Sequence, residues 1–86
     1  MIKVKILSIR APERYAVRRM VTAAQRALQE QFPDLEIQVQ EINDSLEIGK
    51  YAPVLVLPTL VIDEKVVCSG RFPTKEEIIA WLREAL

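Results

Sequence analysis

The hydrophobic residues of this chain change period twice within its N-terminal half, and that switch limits the available folds more than any other feature. Ile2, Val4 and Ile6 alternate with Lys3, Lys5 and Leu7, a period of two that predicts a strand with one face toward a core. Ala11-Pro12-Glu13 then opens a helix, since proline is tolerated in a first turn and a carboxylate is favoured at the positive end of the helix dipole. Val17, Met20, Val21, Ala24 and Leu28 follow helical spacing, and Pro33 predicts a stop at Gln31-Phe32. Leu35, Ile37 and Val39 alternate once more with Glu36, Gln38 and Gln40. A strand, a helix-length crossover and a second strand are the signature of a parallel βαβ unit, normally right-handed.

The second half changes the connectivity. Asn43-Asp44-Ser45 supplies capping side chains and Glu47 sits within reach of them, predicting a short helix from Ser45 to Lys50. Thr59 to Ile62 is almost wholly apolar, as expected of a strand covered on both faces. Asp63-Glu64-Lys65 turns the chain into Lys65 to Ser69, and because no glycine is present for a tight primed turn, a three-residue loop is expected. After Gly70, Thr74 caps a closing helix with Ile78, Ile79, Leu82 and Leu86 on its apolar side. The reading is one α/β domain over residues 1–86, in the order β-α-β-α-β-β-α, with a central four-stranded mixed sheet and helices on both faces.

Composition removes several functions. Twelve basic residues cancel twelve acidic ones, so no overall field draws the chain to nucleic acid or to an anionic membrane, and any binding must come from a local patch. With no histidine and Cys68 as the sole thiol, neither the soft ligands of a zinc or iron-sulfur site nor an internal disulfide can be assembled, and no metal or cofactor is expected. The longest apolar run, Pro53 to Ile62, is too short to cross a bilayer and contains two prolines. A soluble, cytoplasmic protein is expected.

The element order, with a proline directly before the third strand, resembles the thioredoxin-like fold, especially the small single-domain thioredoxin and glutaredoxin homologues. The most specific stretch is Leu57-Pro58-Thr59-Leu60-Val61-Ile62-Asp63, continuing through Val66-Val67 to Ser69-Gly70, which is similar to the family's cis-proline, hairpin and glycine segment. The likeness implies a cis Pro58. It also places the family's Cys-x-x-Cys at Ala11-Pro12-Glu13-Arg14, where the proline is kept and both sulfurs are missing. Disulfide exchange begins with a thiolate, so the dithiol activity is not carried over. The chain also resembles the circadian adaptor KaiB, a thioredoxin-like domain that lacks the pair and works by protein contacts.

The candidate residues follow from that contrast. The resemblance implies a groove formed by Ala11, Pro12, Glu13 and Arg14 with Leu57, Pro58, Ser69 and Gly70, suited to a protein partner or an extended peptide pairing with the Leu57 backbone. The apolar tract Val54, Leu55, Val56 and Leu57 reads either as a rim for a partner, including a second copy in a homodimer, or as core. Cys68 reads as a small apolar residue in a strand, the alternative being a monothiol oxidoreductase or redox sensor. Arg10 and Arg14, beside Arg18 and Arg19, could meet an anion at the helix start or form a solvated face. Tyr15 and Trp81 are read as packing residues.

Overall fold

In the computed structural model, which describes residues 1–51 and 57–86, the chain forms β1 (Ile2–Leu7), α1 (Ala11–Gln29), β2 (Ile37–Ile42), α2 (Ser45–Gly49), β3 (Thr59–Ile62), β4 (Lys65–Ser69) and α3 (Lys75–Ala85). The strands make one mixed sheet in the order β2-β1-β3-β4. β1 pairs with β2 in parallel, from Ile2 opposite Ile37 to Leu7 opposite Ile42, while β1–β3 and β3–β4 are antiparallel. This is the expected α/β architecture.

Side-chain alternation along β1 divides the core in two. Ile2, Val4 and Ile6 join Val17, Val21, Ala24 and Leu28 of α1 and Ile78 and Leu82 of α3 in the larger cluster. Leu7 faces the other way, packing with Ile42, Val61 and Ile48 of α2, and Tyr51 and Leu57 lean on that group. Two helices therefore cover one face and the short helix covers part of the other. Lys5 lies on this second face, where its ammonium donates to Tyr51 Oη at 2.7 Å and pairs with Glu64. The Glu64 bond, then the tyrosine, hold the lysine well above its ordinary pKa.

Local chemistry sets the helix ends. The Asp44 carboxylate accepts from the Leu46 N–H at 2.9 Å and caps α2, while Glu47 pairs with Lys50 rather than reaching back. Thr74 and Glu77 form a reciprocal capping box at α3. Arg71 grips the same Glu77 through two guanidinium nitrogens. That bond, followed by the Thr74 backbone N–H, lowers the Glu77 pKa to about 2.

Four sequence expectations are corrected. The hairpin has a two-residue turn instead of three: Ile62 pairs with Lys65, and Asp63 (φ 48°) and Glu64 (φ 67°) both occupy the left-handed region of a primed turn. Asp63 is held there by two bonds to Lys3, its N–H donating to the carbonyl at 2.8 Å and its carboxylate accepting from the N–H at 2.9 Å. β2 begins at Ile37, because Leu35 donates its N–H to Phe32 O and closes the preceding turn. Met20 is exposed, since α3 covers the stripe from Val17 to Leu28 and leaves position 20 beside it. Leu86 lies beyond the end of α3 and is exposed too.

Candidate functional site

Sheet register assembles the site at one end of the molecule. Leu7 pairs with Thr59, so the loop that follows β1 is set beside Pro58, the residue preceding β3. Thr59 also pairs with Ser69, their hydroxyls 3.1 Å apart, and the Gly70 N–H donates to the Pro58 carbonyl at 3.0 Å. The Leu57–Pro58 peptide bond is cis, and Gly70 takes φ 80°, where a side chain would be strained. Pro58 is buried and Leu57 half-buried. Thus Leu57-Pro58 and Ser69-Gly70 are physically joined, with the loop from Ser8 to Arg10 adjacent. Val54, Leu55 and Val56 lie outside the described residues.

Where the resemblance places a dithiol, the chain instead holds a network of polar contacts. Ser8 is fully buried, and its hydroxyl donates to Glu13 Oε2 at 2.6 Å and accepts from the Arg10 N–H at 3.3 Å. The Arg14 side chain is only 12% exposed. Its Nη1 donates to the Ser8 and Ile9 carbonyls at 3.1 and 3.0 Å, and its Nε to Glu41 Oε1 at 3.3 Å. Arg18 engages the other Glu41 oxygen at 2.8 Å. One arginine therefore ties the β1–α1 loop, the helix start and the end of β2 together. Arg10 lies on the surface, 3.9 Å from Glu13, and no side chain caps α1.

Sequence reasoning named Arg14 as an anion contact, whereas three of its bonds run to the protein itself; Ser8 and Glu41, which complete the network, were not singled out. Glu41 could have been suspected because it extends the alternation of Ile37 and Val39 on the face toward α1, where an apolar residue was due. Also unread were Ile9 and Phe72, 59% and 54% exposed. They bracket the site in sequence, one in the loop after β1 and the other two residues past Gly70. Pro12 is exposed and Ala11 half-buried beside them.

The thiol sits elsewhere in the packing. Cys68 is 5% exposed within the larger cluster, and its Sγ lies 3.7 Å from the Arg71 carbonyl. Burial pushes its pKa up, with Arg71 opposing in part. A thiol so placed is a poor nucleophile at neutral pH.

The sequence pattern of the family described as Thioredoxin domain matches residues 2–83, nearly the whole length. This chain belongs to the thioredoxin domain family. No curated protein matches its sequence. Within a thioredoxin domain, the cis-proline segment and the start of α1 are where the resemblance puts the reactive corner, and here that corner carries Ala11 and Arg14. Among the described residues, no helix is long and apolar enough to cross a membrane.

Proposed function

We propose that this thioredoxin domain is a protein-binding module that receives an extended segment of a partner at the cis-proline end and performs no disulfide exchange. The observation that carries this reading is Arg14, which stands where the resemblance puts the second cysteine and whose guanidinium bonds two loop carbonyls and Glu41. A loop clamped in this way presents a fixed surface and holds no group that could attack a disulfide. The exposed Ile9 and Phe72 at its margins supply apolar area that a partner could cover. An incoming strand beside Leu57 would gain backbone hydrogen bonds in the manner of β-augmentation. The burial and raised pKa of Cys68 support this reading over a monothiol enzyme.

The test is a partner recovered by affinity capture with the intact protein and then titrated against it by NMR. Shifts at Ala11 to Arg14, Leu57-Pro58 and Ser69-Gly70, together with loss of binding in Ile9→Glu and Phe72→Glu, are expected. Shifts confined to the second face of the sheet, with both variants binding normally, would refute the proposal.

A further inference from the structure

Helix α1 is electrically one-sided. Its residues include four arginines and one glutamate, and because the whole chain is neutral, the matching acid lies elsewhere in the molecule. Arg14 and Arg18 share Glu41, whereas among the described residues Arg19 and Arg26 have no ion-pair partner. These two arginines rim a shallow depression with Arg18 and Tyr15, and Thr22 and Ala23 form its floor. Tyr15 is 54% exposed, not packed as its sequence context suggests. The depression thus combines a floor of small side chains, an exposed aromatic ring and two guanidinium groups with no ion-pair partner among the described residues. A merely solvated helix face needs none of the first two.

The geometry points to an acidic peptide segment as the ligand of this face, one with two carboxylates flanking a single apolar side chain. Seven residues separate Arg19 from Arg26, which is about 10 Å along the helix axis at the standard rise. Carboxylates three residues apart on a peptide in the polyproline II conformation, which repeats every three residues at about 3.1 Å each, lie on one side and span about 9 Å. A segment of the form Glu-Leu-Ser-Glu can therefore set one carboxylate on each arginine, each able to accept bidentate hydrogen bonds, while its leucine meets Thr22 and Ala23 between them and a preceding repeat reaches Tyr15. Charge complementarity selects this occupant over nucleic acid, because the neutral chain offers no field to attract a polyphosphate and the face has only one aromatic side chain for base stacking. The face shares Arg18 with the Glu41 network, but Arg19 and Arg26, on which the assignment rests, take no part in that network, so it stands or falls independently of the function proposed above.

Fluorescence anisotropy with a short fluorescein-labelled peptide repeating Glu-Leu-Ser-Glu tests the assignment. Binding should weaken as salt rises. It should fall roughly tenfold in Arg19→Glu/Arg26→Glu, where two partly exposed ion pairs are lost and like charges take their place, and Tyr15→Ala should weaken it as well. A peptide repeating Lys-Leu-Ser-Lys should bind the charge-reversed variant better than it binds the unaltered protein. Circular dichroism should show both variants folded, since the altered side chains are on the surface. Equal binding of a Gln-Leu-Ser-Gln peptide, or undiminished binding by the folded double variant, overturns the proposal. So does tighter binding of oligothymidylate or phosphatidylserine vesicles than of the acidic peptide.

Discussion

Replacing Arg14 by methionine keeps the apolar stem of the side chain and deletes its guanidinium, which isolates what the clamp contributes. Three hydrogen bonds disappear, two to the Ser8 and Ile9 carbonyls and one to Glu41. A neutral hydrogen bond contributes about 0.5–1.5 kcal/mol net, and bonds involving a charged group about 1.5–3 kcal/mol. Glu41 keeps Arg18, and water can reach the two carbonyls once the guanidinium is gone, so the full sum is not expected. A loss of about 2–4 kcal/mol follows, lowering the Tm by roughly 10–20 °C for a domain of this size. Arg18→Met is the control: its side chain is 46% exposed and makes one ion pair, so about 1 kcal/mol or less is expected. Urea unfolding followed by circular dichroism measures both. If Arg14→Met costs no more than Arg18→Met, the guanidinium does not hold this loop and the reasoning fails.

Other consequences are directly measurable. Leu82→Ala empties a site that is fully buried between α3 and the sheet, so about 2–5 kcal/mol should be lost in the same urea assay, a large share of the stability of a domain this small. Thr74→Ala removes the hydroxyl that accepts the Glu77 N–H at 3.1 Å, and a loss of about 1 kcal/mol is expected from thermal melts. The Glu77 pKa of about 2 in the folded state lies below its unfolded value near 4.3, so its contribution is complete above roughly pH 4.5 and vanishes as the pH falls toward 2. Urea midpoints of the unaltered protein should therefore drop more across that window than those of Glu77→Gln, and parallel curves would disprove the assignment. Buried Cys68 should react with iodoacetamide far more slowly than a free thiol at neutral pH and at the free rate in urea; fast labelling of the folded protein would contradict its placement.

Periodicity made most of the fold legible, because β1, α1 and α3 each bury one regular stripe and α3 carries an explicit capping box. The hairpin turn was not legible. Its left-handed Asp63 is held by the backbone of Lys3, a residue remote in sequence, and no local rule reports a partner that arrives only through the β1–β3 pairing. Met20 shows the same limit from the other side: its helical spacing fits the core, but the position of α3 decides which edge of the stripe is covered. At the site, the absence of two sulfurs could be read directly. What replaced them could not, since Arg14 resembles any surface arginine until parallel pairing brings Glu41 to it. Ile9 and Phe72 gave no sequence signal because isolated apolar residues in loops carry no period.

A thioredoxin domain that works by contact and not by thiol chemistry cannot catalyse disulfide reduction. Insulin disulfide reduction in the presence of dithiothreitol tests it most directly, with the unaltered protein and Cys68→Ala assayed side by side. Both should run at the rate of dithiothreitol alone. A rate well above that background which disappears in Cys68→Ala would contradict it.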